Sequence, residues 1–335
     1  MESAARVNGE TTPRISVSVV TYNNEDCLPV FLDSLRSQQG VTWEAFFFDN
    51  GSHDSSAELI RAAGLGELFV SAANIGYGRA HNENARRAQG KYLLILNPDL
   101  RFKADLFDTL ARYAEKSPEL SFLGPRILEG PTQQSFPPRR FYPGEGMAPL
   151  DPLWRREEIA WLNGCCLLVT RAVFETLGGF DTDYFLYQAE TDLCLRARRA
   201  GFRLGHAGDA VVYHGHRESQ RELSEYQYSS RLFEGNAVFL KKHFASDDVI
   251  QMLRFQVLIC GLLLRVSRLR ERIPLPQHLL SDARLRARRD VCGQLVEEAQ
   301  DEVRSSRGMY PRIVARQFRL LFEWIRQRKF PIDDY

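Results

Sequence analysis

From Ile15 to Lys116 the chain alternates short apolar runs of strand character with amphipathic segments of helical spacing. That alternation restricts the fold to an α/β architecture, a mostly parallel sheet covered by helices on both faces. "ISVSVVTYNN" is a β-rich run broken by Asn23 and Asn24, and "CLPVFLDSLRSQQG" follows with apolar residues at Leu28, Phe31, Leu32 and Leu35 before a glycine stop. The pattern returns in "WEAFFFDNGS" and "SSAELIRAAG", in "ELFVSA" and "GRAHNENARRAQG", and in "KYLLILNPDL" and "ADLFDTLARYAEK". Further on, "WLNGCCLLVTRAVFETLGGFD" reads as a strand and a short helix ended by Gly178 and Gly179. "DAVVYHGH" reads as a strand whose end carries His214 and His216. From Glu225 the chain is helical and amphipathic, and the remainder to Tyr335 reads as further helices. Between Pro131 and Pro152 lie six of the fifteen prolines and the basic-aromatic stretch "SFPPRRFYP", which predicts a loop or lid.

With 335 residues the chain has room for one α/β domain and an extension. The 44 basic and 43 acidic residues leave a net charge of +1, so no global field points to nucleic acid or to an acidic partner. The six cysteines contain no CxxC pair, and Cys165 and Cys166 sit in an apolar run, so buried thiols in a reducing cytosol are expected. "MESAARVNGETTPR" lacks the apolar stretch of a secretory signal, and no window of 18 uncharged apolar residues suits a membrane span.

In open parallel sheets ligands bind beyond the carboxyl ends of the strands. The polar clusters "TYNN", "DNGS" and "NPD" therefore carry the functional weight. Each has two readings. Asp49 can accept from the ring N–H of a pyrimidine base, or "DNGS" can simply close a tight turn. Gly76 and Gly78 allow close approach of a backbone, and the helix after them offers its amides to an anion or to a cap. Asn97 and Asp99 flank a proline that cannot continue a central strand; oxygen ligands there suit Mg²⁺ or Mn²⁺ on a diphosphate, or form an ordinary turn.

The joint order of "DNGS", "NIGYGRAHN", "NPD", "GGFD", "YFLYQAETDLCLRARRAG" and a strand-ending histidine resembles family-2 inverting glycosyltransferases of the GT-A fold. The "NPD" form, "SFPPRRFYP" and the "GGFD…FLY…DLCLR" block are most similar to the rhamnosyltransferase branch, over roughly residues 14 to 244. The resemblance implies a catalytic domain over residues 10–245 and a helical extension over 246–335. Asp49 matches the nucleobase contact, and Thr21, Tyr22 and Asn23 match the nucleoside pocket. Asn74, Gly76 and Asn82 are expected along the donor. Asp99 matches the metal-binding acid, with Asn97 in place of the first aspartate of a DxD motif, and His214 matches the histidine that completes coordination. Glu190 falls at the position of the catalytic base. Ala189 replaces the family's preceding acid, and Glu190 stands where aspartate is usual.

The chemistry asks for the same groups. A departing diphosphate needs its charge stabilised, which a cation on Asp99 does. The attacking hydroxyl needs one carboxylate to take its proton. Asp192 is grouped with the donor-site residues by its place in the block, while its own position reads as an N-cap or early-turn acid of the helix ending at Gly201. Arg139 and Arg140 can clamp a phosphate of donor or lipid acceptor, or belong to a solvated loop. "FQVLICGLLLRVSRLRERIPL" joins an apolar face to Arg265, Arg268, Arg270 and Arg272 and can lie on an anionic membrane surface or pack on the protein.

The expected activity is metal-dependent, inverting transfer of a hexose, with dTDP-L-rhamnose the leading donor and a UDP-hexose the alternative. The acceptor is lipid-linked or polysaccharide, in bacterial cell-surface glycan synthesis, at the cytoplasmic face of the plasma membrane. A catalytically weak sugar-nucleotide-binding module is the reading from another class, suggested by Ala189. Self-association through the C-terminal helices is left open.

Overall fold

The computed structural model describes residues 12–130, 133–144, 159–215, 223–267 and 281–299. They fall into two compact units, one within Met1–Arg140 and Glu157–Arg221, the other within Phe141–Arg156 and Glu222–Tyr335.

The first unit begins with the alternation read from the sequence. Strands β1 (Ile15–Thr21), β2 (Trp43–Asp49), β3 (Glu67–Val70) and β4 (Tyr92–Leu96) pair in parallel in the order β3-β2-β1-β4. Helices α1 (Leu28–Arg36), α2 (Ser56–Ala63) and α3 (Tyr77–Ala85) connect them. Helix α1 forms because Pro29 sits in its first turn, where a missing N–H does no harm, and because Leu28, Phe31, Leu32 and Leu35 make one buried stripe.

Strand β1 shows how both faces of the sheet are closed. Ile15, Val17 and Val19 enter the main apolar core, while Ser16 and Ser18 are also fully buried on the other side. A buried hydroxyl without a partner costs about 1–3 kcal/mol. Helix α3 removes that cost at Ser18, whose Oγ meets His81 Nδ1 at 2.6 Å and accepts from Asn84 Nδ2 at 3.1 Å. Burial lowers the His81 pKa to about 3, so it is a neutral packing group. The contact fixes the helix that carries the "NIGYGRAHN" motif.

After β4 the sheet turns mixed. Strand β5 (Leu100–Phe102), helix α4 (Leu106–Lys116), β6 (Leu120–Glu129), β7 (Gln134–Phe136), β8 (Cys166–Thr170), helices α5 (Arg171–Thr176) and α6 (Ala189–Arg199), and β9 (Arg203–His214) complete the unit. The sheet continues β4-β8-β6-β9-β5, with β7 on β6. Strand β8 runs antiparallel to both β4 and β6, and β5 antiparallel to β9, while β6 and β9 pair in parallel, so the second half of the sheet is mixed.

Strand β6 has no counterpart in the sequence reading. Pro125 interrupts its pattern, and the structure places that proline at a register shift against β9, where a ladder can tolerate it. The expected loop from Pro131 to Pro152 also contains structure: Gln134–Phe136 pairs with Ile127–Glu129, and Arg139 bridges Trp161. The six cysteines are buried thiols, as expected.

The second unit contains α7 (Glu225–His243), α8 (Ser246–Ser267) and α9 (Asp282–Ala299). A reciprocal cap between Ser224 and Gln227 starts α7. Buried Val249, Met252 and Leu253 of α8 pack with Leu240, Cys292 and Val296, and Cys260 and Leu264 pack with Leu285. The apolar stripe of α8 is therefore used against its neighbouring helices, while Leu258 stays 60% exposed. Among the described residues no helix is long and apolar enough to cross a membrane. Arg268, Arg270, Arg272 and the side chain of Arg265 lie outside the described residues.

Candidate active site

Three strands bring the expected metal-site residues, Asp99 and His214, together. Asp99 follows β4, and Leu100 beside it pairs with His214 at the end of β9. On the other side of β9, His214 is in register with Glu129, the last residue of β6. His214 Nε2 lies 3.4 Å from Asp99 Oδ1, and its Nδ1 lies 3.2 Å from Glu129 Oε1. Burial alone would lower the His214 pKa, but hydrogen bonds to the two carboxylates override it and raise the value to about 10. With no cation beside it, the two acids thus favour the charged form of the ring.

Those residues also fit a divalent cation. With Glu129 holding Nδ1, the neutral ring would present Nε2 beside the Asp99 carboxylate, giving one nitrogen and one oxygen donor backed by an outer carboxylate. Among the described residues no group of three or more His, Cys, Asp or Glu side chains is placed to hold a metal ion. Mg²⁺ and Mn²⁺ are ordinarily held by few protein ligands plus substrate phosphates, so two donors suffice. Asp99 and His214 line a cavity of about 590 Å³ that also borders Asp26, Arg101, Gln133 and Tyr213. Asn97 is half-buried, and its backbone N–H donates to Cys165 O at 2.8 Å, fastening the "NPD" turn to the start of β8.

Glu190 is the second residue of α6, in its first turn. It is half-buried, and burial raises its pKa from 4.5 to about 7, against a lowering hydrogen bond from its own backbone. A carboxylate poised there is a proton acceptor near neutral pH. Asp192, two residues on, has a different setting. It is fully buried, receives Arg196 Nε at 2.7 Å and lies 3.4 Å from the Tyr184 hydroxyl. Arg196 also donates to the carbonyls of Leu177 and Gly179, so the pair ties α6 to the "GGFD" loop. Of the two readings of Asp192, the structure gives the early-turn acid: it lies in the first turn of α6, and the cap position is Gln188, in a left-handed conformation and without a side-chain cap.

The expected donor residues stand at the carboxyl ends of β1 and β2 and are tied to one another. Asp49 is fully buried; Thr21 Oγ1 donates to its Oδ2 at 3.0 Å, Ser52 Oγ at 2.6 Å, and the Ser52 N–H donates to Oδ1 at 2.9 Å. Asn23, at φ 53°, accepts from the His53 N–H and donates its own N–H to Ser52 Oγ. Tyr22 is exposed beside this network. The "NIGYG" residues are also engaged locally. Asn74 accepts from the Gly76 N–H, and a Cβ on Gly76 would lie 2.7 Å from the Phe185 carbonyl. Asn82 pairs with the Phe180 backbone through both its amide atoms, at 2.8 and 2.9 Å. The close backbone approach made by these glycines and asparagines is to the chain itself. Arg139 is half-buried with its guanidinium 4.4 Å from the Phe136 ring centre, and Arg140 is exposed. His216 lies outside the described residues.

A parallel half-sheet with a polar carboxyl edge, continued by a mixed half and covered by helices, is the architecture of the GT-A fold. The sequence profile of glycosyl transferase family 2 matches residues 16–178. An N-acetylglucosaminyl-diphospho-decaprenol L-rhamnosyltransferase of Mycobacterium tuberculosis is 30% identical over 234 residues, 60% of this chain and 74% of that protein. The rhamnosyltransferase WbbL of Escherichia coli K12 is 24% identical over 63% of this chain and 87% of its own length. Among solved structures, GalNAc-T7 with UDP, GalNAc and Mn²⁺ shares the fold with a TM-score of 0.53 at 16% identity, over 68% of this chain and 48% of that one. The chain belongs to glycosyl transferase family 2, and it is a glycosyltransferase.

Proposed function

We propose that the enzyme moves a hexose, with L-rhamnose from dTDP-L-rhamnose the leading case, onto a lipid-linked or polysaccharide acceptor with inversion at the anomeric carbon. The observation that carries the reading is Glu190, a half-buried carboxylate at the start of α6 with its pKa raised to about 7. In one displacement the acceptor oxygen forms the new bond to the anomeric carbon while its proton passes to Glu190. The bond to the diphosphate breaks on the opposite face, and its electron pair leaves with the phosphate oxygen. Asp99 and His214 would hold a divalent cation, which when bound supplies positive charge to that leaving group. Glu129 keeps His214 turned toward Asp99. The rhamnosyltransferase names of the two relatives support the donor, and the diphospho-decaprenol in the first of them supports a lipid-linked acceptor.

The test is release of nucleoside diphosphate from a panel of dTDP- and UDP-sugars, with Mn²⁺, Mg²⁺ or EDTA. Turnover is expected with dTDP-L-rhamnose and a metal. Asp99→Ala should abolish metal-dependent donor binding, with His214→Ala and Glu129→Gln weakening it less, about 10- to 100-fold for the outer carboxylate. Full turnover in EDTA would remove the metal from the account, and a preference for UDP-sugars would replace the donor. Peripheral attachment to the inner membrane face rests on the basic residues in the last turn of α8 and beyond it. Replacing Arg265, Arg268, Arg270 and Arg272 by Glu should release the protein from anionic vesicles, and retained binding would refute that attachment.

A further inference from the structure

Tyr77 opens helix α3 in the middle of the "NIGYG" motif, yet its contacts are with the two segments that flank Glu190. Its backbone N–H donates to the Phe185 carbonyl at 2.7 Å, in the loop that leads into α6. Its hydroxyl donates to the Gly164 carbonyl at 2.8 Å, in the turn before β8. The ring is held edge-on against His81 at 4.4 Å and Phe180 at 5.4 Å, so it has little freedom to follow a moving partner. Gly164 in turn backs the acid: a Cβ built there would lie 3.2 and 3.3 Å from Cβ and Cγ of Glu190 and 3.0 Å from the Tyr77 hydroxyl.

We propose that Tyr77 is a positioning residue for Glu190, clamping the Phe185 loop with its amide and the Gly164 turn with its hydroxyl so that the acid's stem rests on a glycine seat. The proposal rests on reading Glu190 as the base. It assigns the start of α3 to the acid, where the sequence pattern suggests the donor. Among the described residues, the titratable groups that interact with the carboxylate are the Tyr77 phenol and the Cys165 and Cys194 thiols. Burial holds all three well above neutral, the Cys194 thiol at about 12. They remain protonated where Glu190 titrates.

The experiment is kcat against pH for the full chain with saturating dTDP-L-rhamnose, or whichever sugar nucleotide the panel selects, comparing wild type, Tyr77→Phe, Gly164→Ala and Glu190→Gln. Tyr77→Phe keeps the ring and removes the hydroxyl, so kcat should fall roughly tenfold, the loss expected of a slightly misplaced group. The donor KM should hold, and the acid limb should move down as the freed carboxylate regains solvent. Should Tyr77→Phe fail to fold by circular dichroism, Gly164→Ala decides, because it keeps the hydroxyl and displaces the acid's stem. A wild-type kcat and an unmoved acid limb in the folded variant, alongside an inactive Glu190→Gln, overturn the proposal. An active Glu190→Gln instead overturns the reading of the base, and this inference with it.

Discussion

Glu190→Gln should lower kcat by about 10²-fold or more while making the protein more stable above pH 7. The two effects have one cause. Burial disfavours the charged carboxylate and lifts its pKa from 4.5 to about 7, which gives the base its strength and costs the fold stability. The sign follows from proton linkage. Between pH 4.5 and 7 the folded state keeps a proton that the unfolded chain has released, so stability falls as pH rises through that window and levels off above it. A shift of this size corresponds to roughly 3 kcal/mol, and the partial exposure of the side chain brings it to about 2. The neutral amide avoids the penalty. Glu190→Gln should therefore melt higher than wild type at pH 8, match it near pH 4, and lose the acid limb of kcat near pH 7. Donor affinity should be unchanged. Equal melting curves at pH 8 would show that the carboxylate is solvated and not poised.

Asp192→Ala should do the reverse, leaving chemistry nearly intact and removing much of the stability of the first unit. Its carboxylate is the buried partner of Arg196, and Arg196 fastens the Leu177 and Gly179 carbonyls. Deleting one member of a buried pair strands the other and costs about 3–5 kcal/mol. Because Arg196 keeps two carbonyl partners, the lower figure applies, equivalent to a fall of about 6–12 °C in Tm for a unit of this size. Asp192→Asn retains an oxygen acceptor and should lose less. Thermal unfolding and kcat below the transition check both variants. Loss of turnover at unchanged Tm would move Asp192 into the chemistry.

These two acids show how far the sequence reaches. Helical periodicity and the order of motifs distinguish Glu190 from Asp192 by position, but not the reason. The reason is long-range: Arg196 finds its other partners in a loop some seventeen to nineteen residues earlier. The alternation of apolar runs was legible because each βα pair is local, so β1 to β4 and their helices follow from spacing alone. Strand β6 was hidden by Pro125, which reads as a breaker until the register shift against β9 accommodates it. With β6 went Glu129, whose place beside His214 is a product of strand pairing and leaves no mark in local sequence. Asn74 and Asn82 show the opposite failure. Asparagine at a turn reads equally as ligand contact or as local hydrogen bonding, and here Asn74 closes its own turn while Asn82 copies a strand partner for Phe180. Tyr77 carried no signal of its own, because a tyrosine at a helix start is ordinary until the carbonyl it reaches is known.

The central claim is a single displacement assisted by one carboxylate, Glu190, and its most direct measurement is the anomeric configuration of the first-formed product. Proton NMR of the product, taken early in the reaction with a donor of known configuration, should show the opposite configuration at the transferred sugar. A product that keeps the donor's configuration would contradict the account.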